Sequence, residues 1–145
     1  MIGEILNVFG QVLLDPMALS LSVLGVLLGI ILGALPGVSS TMSLAVLLPI
    51  SFSMSPAHAM MFLLGIFSAS VYGGSISAIL INIPGTPGAI ITQMDGYPMA
   101  RNGRAGEALT YALFASTFGG VLGWMMLVVC APLVADAALH FQSPE

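Results

Sequence analysis

The chain of 145 residues is 58% hydrophobic and only 6% charged, with a formal net charge of −4. Soluble domains carry about 25% charged residues, so this composition cannot supply a water-facing surface and excludes an ordinary soluble domain. Two arginines are the entire Lys and Arg complement, which leaves nucleic-acid binding without an electrostatic basis.

The first segment, residues 1–15, reads as a short interfacial helix rather than a secretory leader. Ile2, Ile5, Leu6, Phe9, Val12 and Leu13 recur at helical spacing. Glu4 and Asp15 are its only charges, and no basic residue or small-residue cleavage site precedes an apolar core. From Pro16 to Met94 there is then no Asp, Glu, Lys or Arg. The solvent of such a run must be lipid, so residues 16–145 are expected to form a transmembrane region in which all regular structure is helical.

Helix starts are marked by capping residues followed by proline: Asp15-Pro16, Ser55-Pro56 and Thr86-Pro87. The first span is predicted over Pro16–Leu35, about 30 Å long and stopped by Pro36-Gly37. Gly25, Gly29 and Gly33 recur every four residues along it and form a flat packing face. Pro36 to Pro49 is too short for a full span and is expected to be re-entrant or broken. Pro56 to Ile83 has the opposite problem, since one helix of that length would reach about 42 Å. Gly73-Gly74 is expected to divide it into a span, Pro56 to Tyr72, and a short limb, Ser75 to Ile83. A second limb from Thr86-Pro87 to Met94 would complete a hairpin with its tip at "PGTP".

The polar segment Asp95–Glu107 holds Arg101 and Arg104 and is expected to be a cytoplasmic loop by the positive-inside tendency. The last span is predicted over Gly106–Ala135, with Ala108, Ala112, Ser116 and Gly120 as a second small-residue stripe.

Enzymatic signals are absent from this sequence. "YGGSIS" is not a nucleophile elbow, no zinc or phosphate-loop spacing occurs, and the single Cys130 reads as a small hydrophobe in an apolar helix. His58 falls in the first turn after the Ser55 cap, where a polar residue near an interface needs no special role.

The helix breaks carry the functional expectation. Backbone groups freed inside a bilayer must meet protein, water, ions or substrate, and half-helix N-termini suit an anion where no basic residue is available. Gly37, Ser39, Ser40 and Thr41 form the first candidate cluster; Asn82, Pro84, Gly85 and Thr86 form the second. Pro84 and Pro87 lack N–H donors and free nearby carbonyls that suit a cation, while Gly85 allows a tight turn. Thr86 reads as the cap of the following limb, and Asn82 offers a donor and an acceptor. The alternative is that both breaks are plain surface loops or packing devices. In that case the chain is a non-transporting membrane scaffold.

The segments "GALPG" (33–37), "YGGSISAILINIPGTP" (72–87) and "DGYPMARNGRAGEAL" (95–109) resemble the large membrane subunit of the bacterial tripartite tricarboxylate transporters. The chain departs from that family at "PGVSST", which lacks a further glycine, and in length, since such subunits are several times longer with two related halves. It therefore looks like an N-terminal portion or a truncated copy, and by itself is not expected to transport. The resemblance implies multi-pass residence in the bacterial inner membrane and uptake of small carboxylates such as tricarboxylates, driven by a Na+ or H+ gradient. It also implies two protein partners, a periplasmic solute-binding protein and a small membrane subunit, and no enzymatic cofactor.

Overall fold

A computed structural model of the chain describes residues 10, 12 and 14–140. The expected interfacial helix of residues 1–15 lies largely outside these, although Gly10, Val12 and Leu14 are helical. All regular elements among the described residues are helices: α1 Pro16–Ala34, α2 Ser40–Ser51, α3 Pro56–Ile81, α4 Ala89–Arg101 and α5 Ala105–His140. Three of them, α1, α3 and residues Ala105–Ala131 of α5, are long and apolar enough to cross a membrane.

Two of the three caps expected from the sequence, Asp15 and Ser55, act as such, and Ser39 is a further cap that the sequence pattern did not mark. Asp15 accepts from the Met17 N–H, Ser39 from Met42 and Ser55 from His58, and Pro16 and Pro56 each occupy a first helical turn. At α4 the expectation fails. Thr86 is not a cap; the helix begins at Ala89 after a turn in which Ala89 N–H donates to the Thr86 carbonyl at 3.0 Å. A proline directly after Thr86 and a glycine at 88 let the chain turn once more before the helix can propagate.

The centre of the fold is the α1–α3 pair, and it is parallel. Cβ atoms added at Gly25, Gly29 and Gly33 would strike the backbone of Phe62, Ile66 and Ser70 respectively, and one at Gly65 would strike Ser22 O. The first three pairs keep one offset, so the two helices run in the same direction with the glycines of α1 against α3. Lipid is as apolar as leucine, so burying one apolar side chain against another gains little there; close backbone approach supplies the attraction instead.

Parallel packing settles the role of the chain between the two spans. To start α3 beside the start of α1, residues 35–55 must recross the whole length of α1. They do so with α2, about 18 Å long, and non-helical stretches at each end. The segment is thus a broken crossing and not a re-entrant loop. One face of α2, Ser43, Leu47 and Ser51, is buried, and Leu47 joins Phe62 and Ile66 in the apolar core. The buried hydroxyls of Ser43, Ser51 and Ser70 turn back onto carbonyls of their own helices (Ser39, Leu48 and Phe67), so none is left without a partner.

Two further expectations are corrected. Gly73-Gly74 does not divide Pro56–Ile83; α3 runs unbroken to Ile81. These glycines are contact points, since a Cβ at Gly73 would lie 2.8 Å from Gly33 C and from Ile30 O, and one at Gly74 would lie 3.1 Å from the Thr86 methyl. Nor is Asp95–Glu107 a loop. Asp95 to Arg101 belong to α4, and only the turn Asn102–Arg104 is non-helical, closed by Gly103 at φ +77°. Pro98 lies inside α4 and lacks the N–H that would donate to the Met94 carbonyl.

Because α1 ends beside Gly73, the last two turns of α3, Gly74 to Ile81, project about 12 Å past it. The break 82–88 and α4 cover that projection, with Gly96 of α4 seated on Ile79. The chain divides into two compact units, residues 1–110 and Tyr111–Glu145. The described residues of the second unit belong to α5, and Phe114, Phe118, Leu122 and Met126, spaced by four along it, are exposed. Within the predicted stripe Ala108 is buried, whereas Ser116 and Gly120 are exposed.

Candidate functional site

The first break begins where Leu35, forced extended by the following proline, caps α1 at ψ 125°. Gly37 then takes φ +85°, a conformation costly to any residue with a Cβ. The Val38 N–H closes the turn on the Leu35 carbonyl at 3.2 Å, and Ser39 starts α2.

The second break starts with Asn82 at φ 62°, ψ 28°, the left-handed position that ends α3. Asn is the residue after glycine that tolerates this conformation best, because its short amide meets the backbone locally. Past it the chain doubles back along α3. Gly85 reaches the level of Gly74, where its N–H lies 3.5 Å from the Gly74 carbonyl. A Cβ added at Gly85 would be 3.0 Å from Gly74 Cα, 3.1 Å from Gly33 O and 3.5 Å from Val38 O.

The two breaks therefore meet. The tip of the second is wedged between α3 and the chain on both sides of the first. Around Gly85 stand the carbonyls of Gly33, Val38 and Gly74, with the Thr86 side chain against Gly74. Gly33 O belongs to the last turn of α1, where carbonyls have no intrahelical donor. Gly33 and Gly74 are buried, and Val38, Gly85 and Thr86 are partly so. Several carbonyl oxygens and one hydroxyl, with no charged side chain beside them, suit a hard monovalent cation.

The remaining predicted residues lie elsewhere. Ser39 is occupied as a cap. Gly37 is exposed, and no atom stands within 4 Å of where its Cβ would be. Thr41 faces the other way and lines an apolar groove of about 490 Å³ between α2 and α3 with Leu44, Leu48, Met60, Leu63 and Phe67. Asn82 is about 12 Å from the tip along α3. Its two oxygens, carbonyl O and side-chain Oδ1, accept from Gln93 Nε2 at 2.9 and 2.6 Å.

Sequence reasoning missed Gln93, the single amide of "AIITQM", and the packing roles of Val38 and Gly74. It also missed that Asp15 and His58, 43 positions apart, are hydrogen-bonded. A lone amide in an apolar run was a usable signal for Gln93. The other contacts depend on helix register, which no local pattern carries.

Residues 19–145 match the tripartite tricarboxylate transporter TctA family. The chain is 46% identical over 132 residues to an "Uncharacterized 52.8 kDa protein in TAR-I ttuC' 3'region" of Agrobacterium vitis. That alignment covers 91% of this chain and 26% of the relative, so the chain spans about a quarter of the relative's length. No solved structure matches.

Proposed function

The chain belongs to the tripartite tricarboxylate transporter TctA family, and from that premise we propose that it forms part of an ion-coupled permease for small carboxylates. In this reading the permease resides in the bacterial inner membrane. It receives its substrate from a periplasmic solute-binding protein and works beside a smaller membrane subunit. The observation that supports it is the meeting of the two helix breaks at Gly85, deep against α3.

The mechanism follows from the groups gathered there. The Gly33 and Val38 carbonyls and the Thr86 hydroxyl would replace part of the hydration shell of a coupling cation such as Na+, the Gly74 carbonyl being taken by Ser77 Oγ and the Gly85 N–H. The bound cation would then draw a carboxylate to the same place. The first N–H groups of α4 are already engaged, Ala89 with the Thr86 carbonyl and Ile90 with the Pro87 carbonyl, so the anion is drawn by the bound cation and not by the helix start. The rest of the relative's length would supply the facing wall of the site. Alternating access requires the tip to leave and re-enter its cleft, which Gly85 and Gly88 permit through their backbone freedom.

Thr86→Val separates a transport site from mere packing, because it keeps shape and removes only the hydroxyl. In the complete transporter, uptake of labelled carboxylate should need at least about tenfold more coupling ion, the loss of roughly 1.4 kcal/mol of ligation. Unchanged ion dependence would favour the scaffold reading. Asn82→Leu is a poor test, because leucine disrupts the left-handed cap; Asn82→Gly keeps the turn and removes the amide.

A further inference from the structure

A second surface, running along α4 from Asn82 to Asn102, has a composition that the transport reading does not use. Asn82, Ile90, Gln93, Met94, Tyr97 and Pro98 line one hollow of about 450 Å³. Tyr97, Pro98, Arg101 and Asn102 line another of about 430 Å³. The two share Tyr97 and Pro98. Residues 90, 94 and 98 and residues 93, 97 and 101 each stack at four-residue spacing, so the hollows form one continuous groove along a single face of α4.

The groove is graded. Ile90 and Met94 at one end are 51% and 71% exposed, a poor arrangement in water. At the other end stand a guanidinium, a phenol and an amide, with no carboxylate in either lining. Arg101 makes no ion pair among the described residues, in contrast to Arg104, whose Nη2 is 2.6 Å from Glu107 Oε2. Asp95 is on the same helix but six residues back, about 120° around the axis from Arg101. From Ile90 to Arg101 the groove runs about 16 Å, the scale of a phospholipid from its phosphate into the upper acyl chain.

We propose that this face of α4 seats an anionic phospholipid. The phosphate pairs with Arg101 and accepts hydrogen bonds from Tyr97 and Asn102, and the glycerol and first acyl carbons lie along Met94 and Ile90. A free carboxylate or inorganic phosphate would satisfy the cationic end but would leave the apolar end uncovered, which is why the lipid fits better. A guanidinium is the suitable cation, since its fork matches a phosphate bidentately.

The test titrates the intact protein, purified in an uncharged detergent, with phosphatidylglycerol, phosphatidylcholine and inorganic phosphate, and counts bound lipid by native mass spectrometry. Phosphatidylglycerol should bind saturably and at least about fivefold more tightly than phosphatidylcholine, the effect of one interfacial arginine. Arg101→Gln should lose that preference, whereas Arg104→Gln, which changes net charge equally, should keep it. If Arg101→Gln does not fold, Tyr97→Phe takes its place and should weaken phosphatidylglycerol binding. Equal binding of the two lipids, equal effects of the two arginine substitutions, an unaltered Tyr97→Phe, or full displacement by millimolar phosphate would each overturn the proposal, the last by showing a soluble-oxyanion site.

Discussion

His58 Nε2 lies 2.8 Å from Asp15 Oδ2, tying the cap of α1 to the first turn of α3. With Asp15 ionised, its oxygens only accept, so the imidazole nitrogen donates. The same carboxylate accepts from the Met17 N–H at 2.9 Å. One side chain therefore both starts a helix and sets the level at which its parallel neighbour begins.

That arrangement has a pH signature. The hydrogen bond from His58, then that from Met17, holds the Asp15 carboxyl below its ordinary range. A carboxylate depressed in the folded state contributes stability that is present above its unfolded value, about 3.9, and is lost as pH falls through the lower folded value. Thermal unfolding in detergent should show this contribution intact at pH 6 and fading below about pH 4. Asp15→Asn should lack that part of the acid drop, and Asp15→Ala should lower the midpoint further because the cap is gone as well.

The glycine seam predicts a graded cost. A Cβ at Gly29 would lie 2.5 Å from Ile66 O and 2.9 Å from Ala69 Cβ, and backbone cannot step aside. Gly29→Ala should cost about 1–3 kcal/mol by overpacking. Gly119→Ala, with no atom within 4 Å of the added carbon among the described residues, should be neutral or slightly stabilising through helix propensity. Comparing unfolding midpoints of the two variants checks the seam.

Gly37 isolates a backbone effect from a packing effect. Its φ is +85° and nothing stands near its Cβ, so Gly37→Ala should lose about 1–2 kcal/mol from conformation alone. At Asn82, φ 62° predicts the same order of loss for Asn82→Leu and little for Asn82→Gly. Similar stability of Asn82→Leu and Asn82→Gly would show that the α3 cap is not strained in this way.

The convergence of the breaks predicts coupling. Gly74 and Gly85 face each other so closely that a Cβ on either strikes the partner segment: 3.1 Å to the Thr86 methyl from Gly74, and 3.0 Å to Gly74 Cα from Gly85. Gly74→Ala and Gly85→Ala should each displace the tip, and the double variant should cost less than the sum, with an interaction of about 0.5–3 kcal/mol. Strict additivity in a double-mutant cycle would mean that the two segments do not touch.

What was legible in the sequence was local or compositional. The lipid environment follows from 79 consecutive uncharged residues, Pro16 to Met94. Two helix starts, after Asp15 and Ser55, follow from capping residues before proline. Each of these needs only neighbouring positions or overall solvation. The same local rules misjudged Gly73-Gly74, since two glycines read as a break when nothing indicates what lies against them. They also misjudged Asp95–Arg101, where polarity suggested a loop although the backbone bonds of α4 remain helical.

Tertiary structure decided everything that depends on register between distant segments. Only the parallel alignment of α1 with α3 makes residues 35–55 a crossing, because the direction of a helix pair is a property of both partners and not of either sequence alone. Only that alignment leaves the end of α3 projecting, so that the second break folds back to Gly74 and meets the first at Gly33 and Val38. It also parts residues that the sequence had grouped. Thr86 goes to the tip and Asn82 to Gln93, because two turns of helix separate the cap of α3 from the level at which Gly85 can approach its backbone.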